Sequence, residues 1–396
     1  MTSISAILLA GIWAGASAAP ASVTLASQWK EKVVWSFGSG TDGQYPAAGL
    51  IEVKGTLYGT TYVGGAEDRG TVFAIDPKTS AETVLYSFGT GTDAEDPNGG
   101  LLDVRGMLYG TTVSGGSQGS GAVFTLDPKT GMEGVIHSFG SGNDGKSPYA
   151  GVITVDDTLY GTTEVGGAGQ CQYGCGILFA VNRKTGAETI PYTFASDTDG
   201  HYPTAGLVRV NGLLFGTTTA GGAYGGQYLG GTVFSLDPGT GAEALVHSFG
   251  SGEDGANPYA GLIAVDGTLY GTTWDGGTYG HGIVFSLDPS TGAETVLHAF
   301  GGGPDGDSPL ASLLDMKGTL YGTTFYGGSA ESGAVFAVNR TTGAEKVLYS
   351  FCSQQNCTDG YWPGADLIDV DGTLFGTTTS GGAYGAGTVF ALVKSR

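Results

Sequence analysis

The chain has 396 residues, of which 75 are glycine, and it carries 16 Lys plus Arg against 37 Asp plus Glu, for a net charge of −21. A chain this acidic repels phosphate groups, which excludes nucleic acid and anionic membrane surfaces as expected partners. Glycine without a Gly-X-Y period excludes a collagen-like structure and indicates turns and close backbone contacts.

The chain begins with an apolar stretch of small residues, 4–19, which ends in the A-x-A sequence Ala16-Ser17-Ala18. This pattern predicts a secretory signal peptide over residues 1–19, followed by a leader at 20–31, although no Lys or Arg precedes the apolar run. A disordered apolar leader is the alternative. No other segment has the ~20 apolar residues that span a bilayer.

A unit of about fifty residues follows and occurs seven times between residues 32 and 393. An aromatic-Gly-Thr-Thr string marks each copy, with its glycine at Gly59, Gly110, Gly161, Gly216, Gly271, Gly322 and Gly376. A phenylalanine ends a β-rich run at Phe37, Phe88, Phe139, Phe194, Phe249, Phe300 and Phe351. Val-Phe or Leu-Phe recurs with its phenylalanine at Phe73, Phe124, Phe179, Phe234, Phe285, Phe336 and Phe390. A period in this range predicts a propeller, an array or a solenoid.

Four β-like runs are present in each copy, and in the first copy they are 49–53, 57–62, 71–75 and 83–88. No segment has a 3.6-residue apolar period, which predicts an all-β protein. Four antiparallel strands in seven copies predict a seven-bladed β-propeller that forms a single domain over residues 32–393. The last copy lacks a fourth strand that 32–37 would supply, so we expect the N-terminal strand to pair into the last blade and close the ring.

Three insertions lengthen loops that share one face in such a blade, at 168–175, 223–230 and 351–359. Insertions on one face mark the binding side of a repeat protein. All four cysteines lie in these loops, and we expect two local disulfides rather than one zinc site. The expected pairs are Cys171 with Cys175 and Cys352 with Cys357.

An Asp-Gly-x-x-Pro motif occupies the inter-blade loop in six copies, and the second copy has Asp93-Ala94-Glu95-Asp96-Pro97 instead. Its Asp is predicted to cap its own turn and its Gly to take a left-handed conformation. The alternative is a calcium site at Asp197 and Asp199, whose Asp-x-Asp-Gly sequence resembles the start of a calcium loop but lacks the rest of the EF-hand pattern. We therefore expect no cofactor, with calcium as the open alternative.

A single binding site must break the sevenfold symmetry, so residues that differ between copies are the site candidates. The position after each Thr pair holds Tyr62, Val113, Glu164, Thr219, Trp274, Phe325 and Thr379. With neighbouring loops, the ligand-binding candidates are Tyr62, Glu164, Tyr224, Tyr228, Trp274, Asp275, Tyr279, His281, Phe325, Tyr326, Trp362 and Tyr384. Aromatic rings stack on sugars or peptides while carboxylates accept their hydrogen bonds. The alternative is that the rings only cover a glycine-rich surface.

Two carboxylates are the catalytic candidates, Glu164 and Asp275, because both break the symmetry. A glycosidase needs two carboxylates ~5 Å or ~6.5–9.5 Å apart. Three histidines occupy a fourth-strand position that is tyrosine in other copies, and they are predicted to pack rather than to catalyse. They are His137, His247 and His298.

The motif order resembles a known family. The strings Leu57-Tyr58-Gly59-Thr60-Thr61, Gly64-Gly65, Thr71-Val72-Phe73 and the run 83–88 are together similar to the GloVer-type tandem repeat of bacterial exported proteins. The resemblance implies export, often with a C-terminal anchoring signal, and no established activity. The last strand is followed directly by Lys394-Ser395-Arg396, so we expect release into the medium or periplasm. Kelch and quinoprotein repeats share the outline, but both carry a repeated Trp that this chain lacks.

The sequence therefore predicts a secreted, monomeric β-propeller that binds an extracellular glycan or protein, and it favours a binding protein over an enzyme. A carbohydrate-active hydrolase or lyase that uses carboxylates of the insertion face is the first alternative. A structural envelope or matrix protein is the second.

Overall fold

A computed structural model describes residues 29–195, 198–225 and 230–395. It confirms the fold class, an all-β propeller whose seven antiparallel blades surround a central channel. The predicted signal peptide and all but the last three residues of the predicted leader lie outside the described residues. Within the described ranges, no helix is long and apolar enough to cross a bilayer.

Each blade has four main strands, and shorter strands join some of them on the insertion face. The N-terminal strand is β1 Trp29–Ser36. The first blade has β2 Ile51–Val53, β3 Thr56–Thr61, β4 Thr71–Asp76 and β5 Ala81–Ser87. The second has β6 Ala94–Pro97, β7 Leu102–Val104, β8 Met107–Gly115, β9 Ala122–Asp127 and β10 Met132–Ser138. The third has β11 Gly145–Lys146, β12 Ile153–Val155, β13 Thr158–Thr163, β14 Val165–Gly166, β15 Ile177–Asn182 and β16 Glu188–Thr193.

The remaining blades follow the same order. The fourth has β17 Val208–Val210, β18 Leu213–Thr218, β19 Thr232–Leu236 and β20 Glu243–Ser248. The fifth has β21 Gly255–Ala256, β22 Ile263–Val265, β23 Thr268–Thr273, β24 Asp275–Gly276, β25 Ile283–Leu287 and β26 Glu294–Ala299. The sixth has β27 Asp307–Pro309, β28 Leu314–Met316, β29 Thr319–Tyr326, β30 Ala334–Asn339 and β31 Glu345–Ser350. The seventh has β32 Ile368–Val370, β33 Thr373–Thr378 and β34 Thr388–Lys394. Two 3₁₀ turns occupy Gly303–Asp305 and Gln355–Cys357.

The two ends of the chain close the ring within the seventh blade. Strand β1 pairs antiparallel with β34, from Trp29 opposite Lys394 to Ser36 opposite Thr388. The sheet order is β1-β34-β33-β32, so the N-terminal strand supplies the outer strand that the last copy lacks. The strand begins three residues before the predicted start at residue 32. This pairing covers an edge that would otherwise be open to another chain.

The aromatic-Gly-Thr-Thr marker has a packing explanation. Gly59 lies opposite Phe73 on the neighbouring strand, and a Cβ added to Gly59 would lie 2.6 Å from Cζ of Phe73. The six equivalent glycines face their own phenylalanines at 2.5–2.7 Å by the same measure. Only glycine leaves room for the ring, so the glycine and the third marker form one packing unit within each blade.

The second and third markers meet across every joint between blades. Phe37, at the end of β1, lies 4.9 Å from Phe73 of the first blade, measured between ring centroids. The other six joints hold equivalent pairs at 4.9–5.1 Å, and all of these rings are fully buried. Each ring of the second marker has one partner of the third marker, so the two markers occur in equal number.

The first threonine of each pair also binds the next blade. Its hydroxyl donates to a carbonyl of the next blade's channel wall in six copies, at 2.7–3.4 Å. The shortest of these bonds runs from Thr111 to Ala150, and Thr377 to Ala48 spans the closure. Thr60 is the exception, since its hydroxyl is buried without a hydrogen-bond partner among the described residues.

A polar cluster, the joint triad, lies on the outer side of each joint. It combines a ring of the fourth strand, the Asp of the next inter-blade loop and a Glu from the following blade's fourth strand. In one joint the hydroxyl of Tyr86 donates to Asp93 at 2.9 Å, and Glu133 lies beside Asp93. Burial and then the neighbouring Asp raise the pKa of each joint glutamate to about 7, or about 8 for the last of the set. These are Glu31, Glu82, Glu133, Glu188, Glu243, Glu294 and Glu345.

The three fourth-strand histidines belong to these triads. Each imidazole packs edge-on against a buried phenylalanine two residues later, with ring centroids 4.7–4.9 Å apart. Each Nε2 also lies 3.3–3.4 Å from a carboxylate oxygen of the inter-blade Asp. Packing is therefore only part of their role, because each imidazole replaces the hydroxyl that tyrosine supplies in other joints.

Candidate functional site

The innermost strands and the segments that precede them line the channel, and small or aliphatic residues, chiefly Ala, Gly and Leu, predominate there. Asp366 departs from this pattern, because it stands where five copies have glycine and the sixth has Ser312. Its Oδ1 accepts a hydrogen bond from the N–H of Ser312 at 2.7 Å, and its position deep among the blades raises the pKa of this carboxyl. The rest of the channel wall offers few side chains that could bind a ligand. The candidate binding residues of the insertion face therefore lie at the channel mouth.

Backbone hydrogen bonds hold the position after each Thr pair at this mouth. The N–H of Glu164 donates to the carbonyl of Ser147 at 3.1 Å, and that of Trp274 to Asn257 at 3.0 Å. Both acceptors directly precede the proline of the inter-blade loop. In every copy the residue directly before this proline has a φ of 55–60°. These residues are Tyr45, Asp96, Ser147, Tyr202, Asn257, Ser308 and Trp362. A left-handed non-glycine residue before proline is costly and persists only where the surroundings enforce it.

Five aromatic side chains of the fifth to seventh blades meet at the mouth and form what we term the aromatic platform. Its members are Tyr259, Trp274, Phe325, Tyr326 and Trp362. Phe325 stacks on Trp362 with centroids 5.6 Å apart and planes 13° apart, and it lies 5.8 Å from Trp274. Tyr326 touches both tryptophans edge-on, and Trp362 remains 36% exposed. Four of these five residues were predicted from the sequence, and the structure brings those four together.

The two predicted carboxylates lie at the same mouth but apart from each other. Burial raises the pKa of Glu164. Burial and then the nearby Asp307 raise the pKa of Asp275. Among the described residues no hydrogen bond joins the two carboxylates, while the charges of both act on Tyr259, whose pKa burial raises first. Tyr259 therefore lies near both carboxylates.

A pocket of about 460 Å³ opens beside Glu164. Its polar lining comes from Gln172, Tyr173, Tyr202, Thr219, Asn257 and Tyr259, and it includes no Lys or Arg. The loop that carries Gln172 and Tyr173 is tied by the disulfide between Cys171 and Cys175. The disulfide thus restrains the long glycine-rich loop that forms one wall of the pocket.

The remaining predicted residues lie outside the platform and the pocket. Tyr224, Tyr279 and Tyr384 are 61–64% exposed on the Gly-Gly loops of their blades, and none has a ring contact with another residue that the structure describes. Tyr62 lies at the mouth of the first blade near Asp96, and burial raises its pKa. His281 approaches Asp307 at 3.1 Å through Nδ1. Tyr228 lies outside the described residues.

Both predicted disulfides are present, the second joining Cys352 to Cys357. The calcium alternative has less support, because Asp199 accepts hydrogen bonds from the hydroxyl of Tyr192 and the N–H of Ala195. Its predicted partner Asp197 lies outside the described residues. Two joint triads contain a histidine with two carboxylates close enough to hold a metal ion.

Sequence reasoning missed Tyr202, Asn257 and Tyr259 as lining residues. A signal was present, since all three flank the proline of the inter-blade motif and the residues at those two positions differ between copies. The motif drew attention to its repeated Asp and Gly, whereas the variable residues beside its proline reach the mouth.

The chain is similar in sequence to a known protein family. The model of the Gloeobacter/Verrucomicrobia repeat family matches residues 21–226 and 223–396. No curated protein sequence matches the chain.

Three solved structures show the same fold. One is an oligogalacturonate lyase in complex with manganese, 13% identical with a TM-score of 0.57, covering 93% of this chain and 94% of that chain. An oligogalacturonate lyase from Vibrio parahaemolyticus is 10% identical with a TM-score of 0.57 and the same coverage of 93% and 94%. The extracellular domain of a putative one component system from B. thetaiotaomicron is 12% identical with a TM-score of 0.59, covering 93% of this chain and 40% of that chain. At these identities the similarity extends to the propeller fold alone.

Proposed function

We propose that this chain, which belongs to the Gloeobacter/Verrucomicrobia repeat family, is an exported binding module whose ligand is an extracellular glycan held at the channel mouth. The observation that carries the proposal is the aromatic platform. Apolar rings in contact with one another, and partly exposed on one side of a rigid ring of blades, form a surface on which sugar rings stack. The pocket beside Glu164 supplies hydrogen-bond acceptors for hydroxyl groups next to that surface.

The charge at the mouth favours a neutral glycan. Glu164 and Asp275 lie near Tyr259, and neither the platform nor the pocket contains Lys or Arg among the described residues. Two of the similar structures are oligogalacturonate lyases. An oligogalacturonate would bring further carboxylates to a mouth that already carries two, without a cation to pair with them.

The two disulfides support an extracellular or periplasmic location, because such bonds persist in oxidising compartments. Each one ties a loop of the insertion face. A binding surface outside the cell gains from this restraint, since it limits the order that the loops must acquire on ligand binding.

The test compares glycan binding by the wild-type protein with that of Trp274→Ala, first on a glycan array and then by calorimetry. Loss of a central platform ring is expected to weaken binding of a neutral oligosaccharide roughly tenfold to a hundredfold. Tyr384→Ala is the matched control, because Tyr384 is also an aromatic residue of this face but lies 61% exposed outside the platform. Its affinity is expected to stay within twofold of wild type.

Several outcomes contradict the proposal. Tighter binding of oligogalacturonate than of neutral sugars would reverse the charge argument. Equal affinity of wild type and Trp274→Ala would remove the platform from the site. Binding of an extracellular protein alone, with no glycan bound, would assign this face to a protein partner.

A hydrolase or lyase activity is the second candidate, favoured by the raised pKa of both mouth carboxyls. A raised pKa makes a carboxyl better suited to act as a general acid. Release of shortened sugars by wild type, abolished in Glu164→Gln or Asp275→Asn while binding remains, would identify an enzyme. Binding without product release identifies the binding module.

A further inference from the structure

The joint between the fifth and sixth blades carries three metal-ligating side chains from three separate segments. His298 lies on β26, Asp305 on the 3₁₀ turn that follows it and Glu345 on β31 of the next blade. One ligand atom of each lies within 4.8 Å of the other two. His298 Nε2 is 3.4 Å from Asp305 Oδ2. The segments are distant in sequence, so blade packing assembles the cluster.

Nε2 of His298 is buried without a hydrogen-bond partner among the described residues, unlike Nε2 of the other joint histidines. Oε1 of Glu345 is also buried without such a partner, as it is in every joint glutamate. The Nε2 of His298 approaches Asp305 without the alignment of a hydrogen bond. Asp305 itself is held in place, since its Oδ2 accepts a bond of 2.6 Å from the N–H of Gly301. A buried polar atom without a partner destabilises the fold, and a bound cation would satisfy both atoms.

The tyrosine joints show what this position needs when no imidazole is present. In the joint of Tyr349, the tyrosine hydroxyl donates to Asp359 at 2.7 Å. The hydroxyl proton therefore fills the place between ring and carboxylate. The ring of His298 has no hydroxyl, and its Nε2 makes no aligned hydrogen bond to Asp305. At His137, by contrast, Nε2 is hydrogen-bonded to Oδ2 of Asp144 at 3.3 Å.

The spacing fits a small divalent ion. Zinc binds histidine nitrogen and carboxylate oxygen at ~2.0–2.2 Å, which places two tetrahedral ligand atoms about 3.4 Å apart. The pair of His298 and Asp305 already has this separation. We propose that His298, Asp305 and Glu345 bind one divalent transition-metal ion, with zinc preferred over calcium, and that the ion ties the fifth blade to the sixth. An imidazole ligand favours zinc over calcium, and the 30% exposed side chain of Asp305 leaves a path for the ion and for a fourth ligand from solvent.

The experiment titrates the chelator-treated full chain with zinc chloride by calorimetry and repeats the titration with His298→Tyr. Tyrosine is the residue that three other joints carry at this position, so the joint is expected to keep its fold. We expect one tight zinc site in wild type, a loss of affinity of at least tenfold in His298→Tyr, and a rise in Tm with zinc that the variant lacks. Wild type is expected to bind calcium at least tenfold more weakly than zinc.

Two further variants complete the design. His137→Tyr, which makes the same change at the second histidine triad that could hold a metal ion, is expected to keep the tight site. Glu345→Gln removes one ligand without changing the ring and is expected to weaken zinc binding at least tenfold, so the test does not depend on His298→Tyr folding. The proposal is overturned if wild type has no tight zinc site, if both His298→Tyr and Glu345→Gln bind zinc as tightly as wild type, or if His137→Tyr is the variant that loses it.

Discussion

The channel mouth and the outer joints of this propeller use the same kinds of residue in opposite ways. At the joints, buried phenylalanine pairs and the joint triads recur around the ring with nearly constant geometry. At the mouth, rings and carboxylates differ from blade to blade and gather on the fifth to seventh blades. Repetition holds the ring together, because every joint solves the same packing problem. Variation provides a site, because one ligand needs only one arrangement.

The two regions also differ in how polar groups are satisfied. The aspartates of the joints receive hydrogen bonds from backbone N–H groups and tyrosine hydroxyls, as Asp93 does from Gly89 and Tyr86. The mouth carboxylates Glu164 and Asp275 make no such side-chain bonds among the described residues, and both remain partly accessible. Groups that are already bonded stabilise the fold, whereas groups left open are available to a ligand.

The difference between the channel mouth and the joints is tested most directly by removing one aromatic ring from each region. Phe37→Ala deletes a fully buried ring of the closing joint and is expected to lower the free energy of unfolding by about 3–5 kcal/mol. Trp362→Ala deletes a partly exposed mouth ring and is expected to cost less than about 1.5 kcal/mol. Denaturant unfolding of both variants measures the difference. Equal losses would mean that the mouth rings serve the fold as much as the joints do.

A smaller effect comes from two threonines that differ only in their partner. Thr111→Val removes a hydroxyl that donates to Ala150 at 2.7 Å, which leaves a buried carbonyl unpaired and is expected to cost about 1–3 kcal/mol. Thr60→Val removes a buried hydroxyl without a partner among the described residues and is expected to be neutral or stabilising. Thermal unfolding of the two valine variants provides the measurement. A similar loss of stability in both variants would mean that the threonine hydrogen bonds do not stabilise the joints.

The smallest expected effect is a change in pH dependence at a single joint. The pKa of Glu133 rises from 4.5 to about 7 on folding, so the folded protein holds a proton that the unfolded chain releases between those values. This stabilisation is complete below about pH 4.5 and is lost as the pH rises through about 7. Glu133→Gln, which is neutral at every pH, is expected to reduce the fall in stability between pH 4.5 and 7 by about one-seventh, since seven joints contribute.

Unfolding curves at several pH values test this, with Glu67→Gln as a control because Glu67 is exposed and outside every joint. Two results would contradict the interpretation that the joint glutamates hold protons in the folded protein. One is a free energy of unfolding that rises from pH 4.5 to 7, and the other is an equal change in its pH dependence in both variants.

Sequence reasoning recovered the fold because its markers are the packing contacts themselves. Gly59 leaves room for Phe73, and Phe37 packs on the same ring from the neighbouring blade. The equal number of markers and the missing last strand therefore predicted closure, which the pairing of β1 with β34 confirms. The cysteine pairs were also predictable, since each pair lies within one short loop and needs no knowledge of the rest of the fold.

The site was predicted only in part. Trp274, Phe325, Tyr326 and Trp362 were identified because they differ between copies, but nothing in the sequence said that they touch. The sequence did not reveal the joint triads, because six of them join a ring and an Asp from neighbouring segments to a Glu about forty residues further along. The seventh takes Glu31 from the other end of the chain.

The amino-acid sequence by itself determined the number of blades, the closure of the ring and the face on which the copies diverge, because these follow from repeated short-range patterns. Tertiary structure alone decided which variable residues meet and which carboxyls keep a proton. Both depend on distances between side chains of different blades, and those distances exist only once the ring has closed.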